Sequence, residues 1–122
     1  MKVYITKSFD REARRDGISD ADCKEAVQKA ENGLLDADLG GGLIKQRISR
    51  GNRSASKGSR AIVFYKRGNM AVFLHVFPKS KKANLSRSEL VQYHKAAQVL
   101  EKLTQAQLLA LCDDKGWREL QL

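Results

Sequence analysis

The sequence has little to offer a cofactor, a membrane or an oxidising compartment. It has two cysteines, Cys23 and Cys112, far apart and in no CxxC pair. That spacing suggests neither a disulfide framework nor a metal-ligand set, so both are read as small core residues of a protein in a reducing compartment. No apolar run approaches the roughly 20 residues that cross a bilayer. The opening MKVYITKSFDREARRDG lacks the apolar stretch of a secretory signal, so a cytoplasmic protein without membrane contact is expected. Aromatic residues make up 7% of the chain, with no RNP-like aromatic pair on a strand, which leaves little for base stacking. Gly40-Gly41-Gly42 precedes no GK[ST] and fits no GxGxxG spacing. A backbone bend is the better reading than a nucleotide loop, and no cofactor is expected.

The most telling absence is of acids. Residues 39 to 88 carry twelve Lys/Arg and no Asp/Glu, whereas residues 1 to 38 carry seven against nine and residues 89 to 122 four against five. The whole net charge of +9 therefore comes from the middle of the chain. Such a block repels itself unless a polyanion or an acidic protein meets it, the alternative being a solvated basic face with no partner.

At 122 residues, one domain over 1–122 is expected, large enough to bury a core. Caps and periodicity predict its elements. A strand is expected over Lys2 to Thr6, then a helix capped by Ser8 and closed near Gly17. A second helix is capped by Ser19 and stopped by Asn32-Gly33, with Cys23, Val27, Ala30 and Leu34 at helical spacing. The two helices are expected to pair as a hairpin. Three strands follow the Leu39 to Gly42 turn: Leu43 to Ser49, Arg60 to Lys66 and Met70 to Phe77, the last two joined by a Gly/Asn hairpin. MAVFLHVF is apolar almost throughout, as a central strand covered on both faces would be. Ser86-x-x-Glu89 and Thr104-x-x-Gln107 fit capping boxes and predict two C-terminal helices. The first would bury Leu90, His94, Ala97, Leu100 and Leu103, the second Leu108, Leu111 and Cys112, ending near Gly116. The fold class is α+β: a small antiparallel sheet with an N-terminal helical hairpin packed on it and C-terminal helices.

Alternation along a strand puts Lys45 and Arg47 on one face of the first hairpin strand and Ile44 and Ile48 on the other. Arg60 starts the next strand, and Lys79, Lys81 and Lys82 follow the third, so all are expected to gather at one end of the sheet as an all-cationic surface for a nucleic-acid backbone. Arg50, Arg53 and Lys57 in the polar tract between strands add to it, while Ser49, Ser54, Ser56 and Ser59 are read as loop solubilisers.

LGGGLIKQRISRG, GSRAIVFY and FLHVFPKSKKANLSRSEL together resemble the RelE/HigB superfamily of bacterial type II toxins. The resemblance is closest to a branch with a Gly-rich lead into the first hairpin strand and an F-x-K-x-x-x-x-N-(I/L)-S segment. Here that segment reads Phe77, Lys79, Asn84, Leu85, Ser86. The resemblance implies a RelE/ParE-like fold that enters the ribosomal A site and cleaves messenger RNA without a metal. It also implies a cognate antitoxin, of helix-turn-helix type, through which the pair binds operator DNA. By position, Lys45 and Arg47 match the family's basic pair and Arg60 its next arginine.

RNA cleavage by 2′-hydroxyl attack needs a proton acceptor, a proton donor and stabilisation of the phosphorane charge. Crowded cations lower one another's pKa, so a lysine among them can transfer protons, while arginines stay charged. Lys45 is the expected proton-transfer residue, Arg47 and Arg60 phosphate clamps, and Lys79 or Lys82 a further stabiliser; Arg50, Arg53, Lys57 and Lys81 would hold RNA. One departure stands out, because some RelE-type enzymes place a tyrosine after the last strand and KSKKANLS has none. Tyr65 and Tyr93 are read as structural, and His75 and His94 as satisfied core histidines. Two other classes compete with the nuclease: a ParE-type toxin that poisons DNA gyrase by contact, and a plain basic RNA-binding module.

Overall fold

The computed structural model describes residues 1–49 and 58–121. Arg50, Arg53, Lys57, Ser54 and Ser56 lie outside them. Ten elements follow in order: β1 (Lys2–Ile5), α1 (Lys7–Asp16), α2 (Asp20–Glu31), β2 (Ala37–Gly40), β3 (Leu43–Ile48), β4 (Ser59–Lys66), β5 (Met70–Pro78), α3 (Arg87–Lys102), α4 (Gln105–Lys115) and β6 (Arg118–Leu120). The six strands form one sheet in the order β2-β3-β4-β5-β1-β6. Its neighbours are antiparallel except β1 and β5, which run parallel. The sheet is therefore mixed, not antiparallel as expected. β1 runs straight into α1, and the chain returns to one flank of β1 through β5, travelling the same way.

Each face of the sheet has its own core. On one face Phe9 and Ala13 of α1 and Cys23, Ala26, Val27 and Ala30 of α2 meet Val3, Ile5, Ile44, Val63 and Phe73. On the other, Ala97 and Leu100 of α3 and Leu108 of α4 meet Tyr4, Leu43, Ile62, Phe64 and Val72. This double cover is why β4 and β5 read as nearly unbroken apolar runs. Burying a side chain such as Phe73 or Ile62, both 0% exposed, contributes about 2 kcal/mol each. The first two helices hold mainly to the sheet, α1 against β5 and α2 against β3.

The caps explain where the helices sit. Thr6, not Ser8, caps α1: its hydroxyl accepts from the Phe9 amide and donates to the Phe73 carbonyl at 2.9 Å, tying the helix start to β5. Ser19, Ser86 and Thr104 form the capping boxes of α2, α3 and α4. Leu34, expected on the buried stripe of α2, lies beyond the helix and is 62% exposed.

Two strands escaped sequence reasoning. β2 pairs with β3 through a turn in which Gly40, Gly41 and Gly42 all have positive φ, and a Cβ on Gly42 would stand 2.8 Å from the Phe64 ring. β6 closes the far edge beside β1, where Arg118 meets Asp10 and Asp20 at 2.8 and 3.0 Å. Neither element has enough residues for a period to be visible.

Candidate active site

Strand register decides which side chains meet. Lys45 of β3, Ile62 of β4 and His75 of β5 form one cross-strand row; Arg47, Arg60 and Phe77 form the next. Between Ile62 and Val63 the β4–β5 register shifts by one residue, with Leu74 as the extra residue of β5. Bulges re-aim side chains in this way. Leu74 and Phe77 belong to the same core face while Phe73 and Val76 belong to the other, so the shift brings His75 onto the face of Lys45 and Arg60.

The sequence block of cations without acids does not survive folding. Asp36, just ahead of β2, reaches into it: Lys45 Nζ lies 3.4 Å from one carboxylate oxygen, Arg60 Nε 3.4 Å from the same oxygen, and Arg47 Nε 3.1 Å from the other. The expected all-cationic surface is thus a cluster of three cations around one anion. Burial alone would raise the Asp36 carboxyl, but the hydrogen bond from Arg47 and the charges of Lys45 and Arg60 outweigh it and hold it below its ordinary range.

Gln46, on the opposite face, fixes this arrangement. Its side-chain oxygen accepts from the Asp36 amide at 3.2 Å, and its nitrogen donates to the carbonyls of Ala26 and Leu34 at 3.0 and 2.9 Å. The loop after α2 is thereby pinned over β3. On the other side Lys45 Nζ donates to Asn84 Oδ1 at 2.7 Å, which draws in the segment after β5. Arg60, expected on an exposed face, has a side chain only 5% exposed, whereas that of Arg47 is 55% exposed. Arg47 is the open side of the cluster.

Lys82 stands over the Phe77 ring, 4.9 Å from its centroid, and pairs with Glu89 at 2.7 Å. The bond from Lys82, with the Ser86 amide, lowers the Glu89 carboxyl to about 2. Lys79 and Lys81 are exposed and form no ion pair among the described residues. Ser59, expected in a loop, is fully buried in β4, and Ser49 donates to Asp22 at 3.3 Å.

His75 is not the satisfied core residue its apolar strand suggested. Its Nδ1 meets Glu12 of α1 at 2.8 Å, its ring stacks on Tyr93 of α3 at 5.5 Å and 16°, and its buried Nε2 has no hydrogen-bond partner. Glu12 reaches it because β1 ends opposite Phe73. That leaves the flank of β5 uncovered, and the Glu12 carboxylate also accepts from the Val76 amide there at 3.4 Å. Burial first, then Glu12 and Glu89, push the Tyr93 hydroxyl up to about 12. His94, by contrast, is satisfied by the Leu39 carbonyl at 2.8 Å, and the Tyr65 hydroxyl by Glu31.

Sequence reasoning missed Asp36 and Glu12, which lie outside the basic block and carry no local signal, and read Glu89 only as the acid of a capping box. Asn84 was visible only as part of the segment following Phe77. Among the described residues no group of three or more His, Cys, Asp or Glu side chains is placed to hold a metal ion.

Three cations from two paired strands thus gather at one end of the sheet of an α+β fold, around one carboxylate. Residues 1–120 match the family described as the RelE toxin of the RelE / RelB toxin-antitoxin system. The chain belongs to that family and is a toxin of a toxin–antitoxin system, with an antitoxin as its partner. No curated protein matches it.

Proposed function

We propose that this toxin is a ribosome-dependent messenger-RNA endoribonuclease that works without a metal and is neutralised by its cognate antitoxin. The observation that carries the reading is the convergence of Lys45, Arg47 and Arg60, from two paired strands, on the two oxygens of a single carboxylate. A group of donors that holds a carboxylate is matched to a phosphate, which offers oxygens of the same kind and more charge.

In this reading the scissile phosphate takes the open side of the cluster beside Arg47. The 2′-hydroxyl attacks phosphorus, the O2′–P bond forms and the P–O5′ bond breaks, leaving a 2′,3′-cyclic phosphate and a 5′-hydroxyl. Arg47 and Arg60 stabilise the charge that develops on the phosphoryl oxygens. Lys45 is the proton-transfer residue, and its ammonium protonates O5′. Lys79 and Lys82 add charge from the segment after β5. Lys81 and, by their charge, Arg50, Arg53 and Lys57 grip the flanking backbone. An antitoxin of helix-turn-helix type, carrying an acidic segment that orders on binding, covers this surface and takes the pair to operator DNA.

The test is messenger cleavage in a translating extract. The wild type is expected to cut messages only on ribosomes. Lys45→Ala/Arg47→Ala, folded by circular dichroism, is expected to cut at least about 100-fold more slowly. Messages left intact by the folded wild type would overturn the reading and make gyrase the next target to assay.

A further inference from the structure

We infer that His75 is the general base of the reaction, accepting the 2′-hydroxyl proton on Nε2, and that Glu12 is its positioning residue. The inference rests on the nuclease reading and supplies the group which that reading lacks, since the KSKKANLS segment after the last core strand has no tyrosine.

Four observations bear on it independently. The shifted β4–β5 register puts His75 in the row of Lys45. With one strand between them, the two are about 10 Å apart, twice the inter-strand spacing; they flank the buried Ile62 and approach a substrate held at Arg47 from different strands, as separate base and acid must. Glu12 lies 2.8 Å from Nδ1. A carboxylate accepts and does not donate, so the proton of the neutral ring sits on Nδ1 and the lone pair on Nε2. Nε2 itself has no hydrogen-bond partner, an expensive state for a buried polar atom unless it has work to do. Finally, the Tyr93 stack fixes the ring plane.

The charged and titratable groups facing His75 are Glu12 from α1, Glu89 and Tyr93 from α3, and Lys82 from the segment between β5 and α3. Glu89 comes within 3.9 Å of Nε2 and is held there by Lys82. A backbone phosphate drawn to Lys82 competes for the ammonium that holds Glu89, and so opens the space beside Nε2 as it arrives. The proton balance then closes. Nε2 takes the proton from O2′ as the O2′–P bond forms, and the Lys45 ammonium gives one to O5′ as the P–O5′ bond breaks.

Single-turnover cutting of a ribosome-bound message, followed across roughly pH 5 to 9, separates base from bystander. The wild-type rate should fall on the acid side with the slope of one proton. His75→Gln should lower the rate about 100- to 10,000-fold and abolish that acid limb, with message binding within about threefold of wild type. Glu12→Gln should lower the rate about 10- to 100-fold and move the acid limb without removing it. A His75→Gln protein that cuts at the wild-type rate with the acid limb intact overturns the role of His75 alone. A folded wild type that cuts nothing overturns the nuclease reading and this inference with it. Nitrogen NMR of the unmodified protein gives a check without turnover: the neutral ring should carry its proton on Nδ1, and an Nε2–H form refutes the assignment.

Discussion

The two ends of the site have opposite charge plans. Around Asp36, one carboxylate is surrounded by Lys45, Arg47 and Arg60; around His75, one imidazole is flanked by the carboxylates of Glu12 and Glu89. The first is built from β3, β4 and the loop ahead of β2 and leaves two units of positive charge after pairing, which suits it to hold an anion. The second is built from α1, β5 and α3, and its ring keeps an unpaired nitrogen, which suits it to move a proton. In the proposed reaction, anion binding thus falls to β3 and β4 and acceptance of the O2′ proton to the His75 side, the two linked across the sheet by the row Lys45, Ile62, His75. Each can be perturbed while the other is read out.

The largest disturbance should come from Arg60→Ala. Its side chain is almost fully buried beside Asp36, and breaking a buried pair leaves a charge with less compensation, so the variant should lose about 3 kcal/mol in urea unfolding. The same substitution at the open Arg47 should cost under about 1 kcal/mol. Equal losses would mean that the cluster is not graded from buried to open.

Asp36→Asn should act next most strongly and in a sense no His75-side variant shares. With the resident anion neutralised, single-stranded RNA should bind about five- to tenfold more tightly at low salt, with a steeper salt dependence. Weaker binding in a filter assay would show that Asp36 organises the cations more than it competes with RNA.

Glu89 gives a smaller effect, resolved by pH. Its folded value, about 2, lies below the ordinary 4.5, so its contribution is present above the unfolded value and lost as pH falls from about 4.5 toward 2. Its partial exposure limits that contribution to about 1 kcal/mol. Glu89→Gln should therefore lose less stability than wild type over that interval in acid titrations of urea midpoints. Tyr93→Phe should do least, since a hydroxyl pushed up to about 12 stays protonated in working conditions and the ring still stacks. Cutting within about twofold of wild type is expected, whereas Tyr93→Ala, which removes the stack, should slow it about tenfold.

Much of this architecture was legible in the sequence because it depends on local rules. Capping boxes at Ser86 and Thr104 located α3 and α4, and alternation placed Lys45 and Arg47 on one face with Ile44 and Ile48 behind them. What was not legible depends on distance along the chain. Nothing near Asp36 signals that it will sit between Lys45 and Arg60, because Gln46 puts it there through bonds to two segments of the chain remote from its own. His75 looked like core because an apolar strand normally buries its polar residues in satisfied positions. The register shift at Leu74, which re-aims it, leaves no mark in the residue order. The parallel pairing of β1 was hidden for the same reason: four residues carry a strand's propensity but not its direction.

The place of β1 also has a kinetic consequence. It is synthesised well before its two neighbours, β5 and β6, which are formed by residues 70–78 and 118–120. Until β5 is made, β1 has no edge to join, and its outer flank stays open until β6 arrives. The order of synthesis and the order of pairing are therefore opposed. The nascent chain carries an unsatisfied strand from β1 until β5 is made, and this sheet closes only when residues 118–120 are available.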